Sequence, residues 1–273
     1  MVPQLIRIIS DVHYADRGSR VRSLGQLRPL LEGATSLVLN GDTLDTRPNK
    51  SAQRTEEMRR EVLDLFGSSG TPVTFLTGNH DPDLSKNHAL EFAGGRVLVT
   101  HGDVLFDTIV PWSRDADAIR KKIIVALASI PEERSNKLED RLSAFRSVAA
   151  TIPQLHQSEK DPLRYAIRVA GDTVWPPRRA LLIFKAWREA PGRAAALARR
   201  HRPKARFIVI GHTHKPGVWK TASGIVVVNT GSFCRPFGAM ATEIFADKLR
   251  VRRIDFRRGA FHLGTKVAEF PLS

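Results

Sequence analysis

The chain is 273 residues long and 42% hydrophobic, enough to bury a large core in one domain or two small ones. Its net charge of +15 favours polyanions: nucleic acid, anionic lipid or phosphorylated substrates. No apolar run approaches the ~18 residues of a membrane-spanning helix, the start MVPQLIRIISDVH lacks the basic–apolar–small order of a secretion signal, and the single Cys234 rules out an internal disulfide; together these predict a cytoplasmic protein in a reducing compartment.

The first element in chain order is LIRIISDVH, a β-branched run that reads as a buried strand. SRVRSLGQLRPLLEG follows, with Val21, Leu24, Leu27 and Leu31 on one helical face and Gly33 as its stop. SLVLNGD is a second strand, and SAQRTEEMRREVLDLFGSSG a second helix with Met58, Val62 and Leu65 apolar. VTFLTGNHD and RVLVTHGD are two further strands, and the βαβ alternation predicts a layered α/β domain. From Leu105 to Arg206 the strands give way to helical, cationic sequence. That stretch holds 21 Lys and Arg against 11 Asp and Glu, so +10 of the net +15 resides there. DAIRKKIIVALASI and RRALLIFKAWREAPGRAAALARRH mix apolar and basic residues at helical spacing, and Pro153, Pro162, Pro176, Pro177 and Pro191 punctuate the region. It reads as a basic helical insertion, 105–206, within a single domain spanning 1–273. RFIVIGHTH and GIVVVNTGSF resume the strands, and TEIFADKLRVRRIDF reads as a hairpin turning at Ala246–Asp247–Lys248.

Each apolar run ends in a polar cluster. Asp11 and His13 follow the first run, Asp42 and Asp45 the second, and Asn79, His80 and Asp81 the third. His101 and Asp103 follow the fourth, and His212 and His214 the fifth. In α/β proteins, groups just past strand C-termini gather at one sheet edge, where ligands bind. So many carboxylates and imidazoles are costly to bury together unless multivalent cations partner them. Seven candidate ligands (Asp11, His13, Asp42, Asn79, His101, His212 and His214) exceed what one first-row ion takes, so two are expected. Mixed N and O donors without thiolate favour Mn, Fe, Zn or a similar transition metal over Ca or Mg. Asp42 stands at the middle strand end, a natural bridge. Two such ions can hold a hydroxide and clamp a phosphoryl group for in-line attack.

These motifs, D-x-H (Asp11, His13), GD-x-x-D (Gly41, Asp42, Asp45), GNHD (Gly78 to Asp81), HGD (His101 to Asp103) and GH-x-H (Gly211, His212, His214), resemble in order those of the calcineurin-like metallophosphoesterases. The resemblance covers approximately Leu5–Asp103 and Phe207–Phe256. It implies a four-layer α/β/β/α sandwich and a hydrolase with two divalent ions, Mn²⁺ first, with Fe, Zn, Ni or Co as the other options. It further implies that Asp11, His13, Asp42 and His214 bind one ion, and Asp42, Asn79, His101 and His212 the other. His80 then faces the phosphate as proton donor, Asp45 holds its imidazole, and Asp81 ties the loop down through backbone hydrogen bonds. The place of the insertion is similar to that of the helical lid in the UDP-2,3-diacylglucosamine pyrophosphohydrolases of lipid A synthesis. That similarity implies a phosphorylated small-molecule or lipid-linked substrate and peripheral contact with an anionic membrane at its inner face.

The competing reading is a phosphodiesterase or nuclease whose insertion tracks a nucleic-acid backbone, with binding that weakens steeply in salt. Trp112, Trp175 and Trp187 could stack on bases, although apolar packing or membrane contact is the stronger expectation, and nucleic acid ranks below a small-molecule partner. A scaffold that has lost activity is the third reading, against which every expected metal position is present. Lys215, Arg235 and Arg114 neighbour the motifs and are candidate phosphate contacts.

Overall fold

A computed structural model describes residues 4–48, 52–153 and 177–273. The six apolar runs become the parallel heart of two sheets. β1 (Leu5–Ile9), β2 (Ser36–Asn40) and β3 (Val73–Leu76) pair in parallel in the first sheet. β5 (Val97–Thr100), β6 (Phe207–Ile210) and β8 (Val226–Asn229) pair in parallel in the second. Antiparallel strands complete both. β9 (Met240–Phe245), β10 (Lys248–Arg257) and β11 (Ala260–Pro271) extend the first sheet beyond β1, in the order β11-β10-β9-β1-β2-β3. β4 (Ala89–Phe92) and β7 (Gly217–Lys220) edge the second, in the order β4-β5-β6-β8-β7.

Side chains on a strand alternate between faces, and that alternation sorts the apolar residues into three layers. Ile6, Ile8, Val38 and Leu76 of the first sheet meet Val97, Val99, Phe207, Val209, Val226 and Val228 of the second in one cluster. The intervening residues point outward. Ile9, Leu37 and Leu39 pack against Met58, Val62 and Phe66 of helix α1 (Ala52–Gly67). Leu98, Ile208, Ile210 and Val227 pack against three helices of the region between β5 and β6: α2 (Ala116–Ala128), α3 (Leu138–Ala149) and α4 (Arg178–His201). Helix, sheet, sheet, helix is the α/β/β/α order expected from the sequence. Each fully buried Val, Leu or Ile contributes about 1.5–3 kcal/mol, so both cross-sheet and outer layers hold the strand ends rigidly. On α4, Ala186, Ala190, Ala194 and Ala198 recur every fourth residue and are buried, which lets the helix lie close on the second sheet.

Two local expectations need correction. The segment expected as an α-helix on Val21, Leu24, Leu27 and Leu31 is a 3-10 helix over Leu24–Leu30 with Pro29 inside it. A three-residue turn puts Leu24, Leu27 and Leu30 on one face, and all three are buried, as are Val21 and Leu31. On α1 the third core position is Phe66, 2% exposed, and Leu65 is only half-buried at the edge of that cluster. The hairpin of β9 and β10 turns where expected, with Ala246 at φ 48°. Trp175, Pro162 and Pro176 lie outside the described residues.

Candidate dimetal centre

The parallel strands deliver their polar C-terminal residues to one edge. Asp11, His13, Asp42 and His214 place one ligand atom each within 4.8 Å of one another, and so do Asp42, His101 and His212. Asp42 belongs to both groups. In the first, His13 Nε2 stands 3.1 Å from His214 Nε2 and 3.7 Å from Asp42 Oδ2, and His214 Nε2 lies 3.3 Å from Asp11 Oδ1. In the second, His101 Nε2 is 3.2 Å from Asp42 Oδ2. Asn79 joins it through a 2.8 Å contact between its Oδ1 and His212 Nδ1.

The backbone is bent to achieve this. Asp11, His13, Asp42, His212 and His214 adopt left-handed φ values of 53, 48, 53, 65 and 59°. Such residues cost of order 1–3 kcal/mol each and persist only where surrounding bonds enforce them. Those bonds are present: Asp11 N–H donates to Gly41 O at 3.1 Å, His13 N–H to Asp42 O at 2.9 Å, and His212 N–H to the Asp11 carboxylate at 3.1 Å. Two glycines make room, because a Cβ on Gly78 would overlap the Asp42 carboxylate and one on Gly211 the carboxylate of Asp11.

Hydrogen bonds on the far side of each ring set which nitrogen is free to ligate. His101 Nδ1 donates to Asn40 O at 2.9 Å, leaving Nε2 toward Asp42. His212 Nε2 donates to Ile109 O at 2.9 Å, leaving Nδ1 beside Asn79. His101 Nε2 is buried without a hydrogen-bond partner. Opposed imidazole nitrogens, an orphaned ring nitrogen and carboxylate oxygens about 3 Å apart fit divalent ions with bonds of about 2.0–2.2 Å.

The chain matches the family model for calcineurin-like phosphoesterases over residues 5–216. It belongs to that family. A UDP-2,3-diacylglucosamine hydrolase from Stenotrophomonas maltophilia (strain K279a) is 23% identical over 236 residues, covering 79% of this chain and 84% of that one. Among solved structures, a dimetal phosphatase from Danio rerio aligns at 14% identity and TM-score 0.48, over 92% of this chain and 95% of that one. Vacuolar protein sorting 29 from Cryptosporidium parvum aligns at 15% identity and TM-score 0.44, over 98% of each chain. The family and the two ligand groups indicate a metal-dependent phosphoester hydrolase with a dinuclear divalent site.

Electrostatics prepare this phosphoesterase for metal. Burial, then the neighbouring His80, lower His13 to a pKa of about 4; burial and His101 do the same to His212. Both rings are therefore neutral, the form that ligates. Burial would also lower His101, but the Asp42 carboxylate outweighs it and raises that ring to about 10. In Asp42, burial opposes ionisation, yet His101 and His80 hold the carboxyl well below its usual range. A metal held by His101 would displace that ring's proton. Mn²⁺ binding near neutral pH should release about one proton, and affinity should rise roughly tenfold per pH unit there. Calorimetry in buffers of different ionisation enthalpy measures that proton; a binding enthalpy independent of buffer would exclude it.

The remaining expected residues divide. His80 Nδ1 lies 2.9 Å from Asp45 Oδ2, and its side chain is 26% exposed, so it reaches solvent. Asp81 accepts the N–H groups of Gly78 (2.6 Å), Asp42 (3.0 Å) and Thr43 (2.6 Å), tying two motif loops together. Asp103 belongs to neither ligand group and pairs with Arg146. Lys215 places its ammonium 5.2 Å over the Trp187 ring, and Trp187 Nε1 donates to Thr213 O at 2.9 Å, between His212 and His214. Trp112 tilts over His212 with centroids 6.3 Å apart. Arg235 is exposed, and Arg114 lines a cavity beside α2. Sequence reasoning missed Arg47, whose Nε and Nη2 donate to the Asp45 carboxylate at 3.0 and 2.7 Å, with Nη2 3.0 Å from His80 Nδ1. Its signal was position: it stands two residues after the GD-x-x-D motif.

Proposed function

We propose that this phosphoesterase cleaves the diphosphate bond of a lipid-linked nucleotide of the UDP-2,3-diacylglucosamine type. Asp11, His13, Asp42 and His214 hold one ion, and Asp42, Asn79, His101 and His212 the other, with Mn²⁺ the first expectation for both. When bound, the ions supply Lewis-acid stabilisation of phosphoryl charge and activation of water at neutral pH. The chain does the rest. Asp45 engages His80 Nδ1, which leaves Nε2 to give its proton to the leaving oxygen.

The observation that carries the substrate class is a cavity of about 670 Å³ between α2 and the start of α4. Trp112, Leu182, Arg120, Arg178, Lys185 and Arg193 are among its lining residues. Its link to the candidate ligands is Trp112, which lines it and has its ring centroid 6.3 Å from that of His212. A basic and apolar cavity suits a substrate carrying both phosphate and acyl chains. Beside it, Ile124 and Val125 of α2 and Leu181 and Phe184 of α4 are exposed, next to exposed Lys121, Lys122, Lys185 and Arg188. That combination favours an anionic lipid surface. No helix among the described residues is long and apolar enough to cross a membrane.

The test is release of UMP from UDP-2,3-diacylglucosamine with Mn²⁺, in parallel with cyclic dinucleotides, mononucleotides and single-stranded DNA. Preferred turnover of the lipid-linked substrate is expected. Faster cleavage of DNA, with affinity falling steeply between low and physiological salt, would replace this reading by the nuclease one.

A further inference from the structure

β3 and β5 lie in different sheets, yet one side chain from the helical region grips the ends of both. Arg146 of α3 is 4% exposed. Its Nε donates to Thr77 Oγ1 at 2.6 Å and its Nη2 to Thr77 O at 2.8 Å, while Nη1 donates to the Asp103 carboxylate. Thr77 immediately precedes Gly78–Asn79–His80, and Asp103 follows His101 by two residues. Asp103 is fully buried, and its other oxygen has no partner among the described residues. Thr77 is anchored in turn, since its Oγ1 lies 2.7 Å from His88 Nδ1.

A buried ion pair alone is weak evidence of stabilisation. The information lies in the geometry. A guanidinium is a rigid planar fork, so bonds from three of its nitrogens fix the distance and angle between the groups they meet, which a lysine ammonium cannot do. The groups fixed here adjoin Asn79 and His101, the two donors of one proposed ion that come from these two strands. We infer that Arg146 is the positioning residue that sets the spacing of Asn79 and His101, so that docking of the helical region and completion of that ion's site are a single event. The inference rests on the ligand assignment proposed above.

The test is a calorimetric Mn²⁺ titration of the chelator-stripped full chain, well below its unfolding temperature. The wild type should take up two ions. Arg146→Ala should weaken one of them about 10- to 100-fold, the usual effect of losing an outer-sphere partner, and leave the other unchanged. Arg146→Lys, which keeps the charge without the fork, should weaken the same ion. Added methylguanidinium should restore Arg146→Ala in part, and kcat should recover at high Mn²⁺ with KM little changed. Phe145→Ala on the same helix, at a fully buried position, should lower Tm while both Mn²⁺ affinities persist. If Arg146→Ala does not fold, the pair Arg146→Met with Asp103→Asn leaves no buried charge uncompensated and takes its place. Wild-type affinities for both ions in the Arg146 variants would overturn the inference, as would equal weakening in Phe145→Ala. Uptake of fewer than two ions by the wild type overturns the ligand assignment first, and this inference with it.

Discussion

Asp42→Ala is expected to weaken both ions together and to lower kcat by at least about 10³-fold. Asp42 alone belongs to both ligand groups, so its loss removes an oxygen from each, whereas Asp11→Ala removes one from the first group only. Lewis-acid stabilisation contributes several kcal/mol to such transition states, and each 1.36 kcal/mol is tenfold in rate. The substitution also releases His101, whose pKa of about 10 depends first on Asp42 as the force opposing burial. Without that carboxylate, burial prevails and the ring titrates lower. Proton release on residual Mn²⁺ binding should therefore fall toward zero in the variant. Metal analysis after dialysis against limiting Mn²⁺, with kcat on an artificial phosphodiester, reads both effects. Retention of two ions at wild-type affinity would mean that Asp42 bridges nothing.

The parts legible in sequence are those with one dominant physical cause. SLVLN and FIVI become β2 and β6 because near-continuous apolar runs of that length suit strands covered on both faces. The ligand clusters were legible because each such run stops in Asp, Asn or His, and the parallel strands of each of the two sheets place those stops at their C-terminal end. Edge strands carry no such signal. β4 (ALEF) is half-buried with Glu91 exposed, and β7 (GVWK) is a short antiparallel partner of β8, so neither shows a long apolar run. Pro29 disfavours an α-helix in the segment that became a 3-10 turn, since its ring clashes with the carbonyl four residues back. Arg146 was invisible for a different reason. Among the 21 cations between Leu105 and Arg206 nothing local distinguishes it, and only the tertiary fold brings it to Thr77 and Asp103.

The His80 site separates proton donation from metal chemistry by the leaving group. His80→Ala should lower kcat about 10²- to 10⁴-fold on a poor leaving group, the range for a general acid. It should cost far less on a p-nitrophenyl ester, whose leaving oxygen needs no proton. Two neighbours should then shift the pH profile in opposite directions. Burial and Arg47 push the His80 imidazole down, Asp42 and Asp45 push it up, and the net shift is upward. The acid form is thus present below that raised value and is lost as pH climbs through it. Asp45→Asn removes an upward push, so the alkaline limb of kcat should move to lower pH. Arg47→Met removes a downward push, and the limb should move to higher pH. Both groups lie within 3.0 Å of His80 Nδ1, so the shifts report direct charge contacts. Equal losses of His80→Ala on both leaving groups, or limbs that move the same way in the two neighbours, would assign His80 to phosphate binding and not to proton transfer.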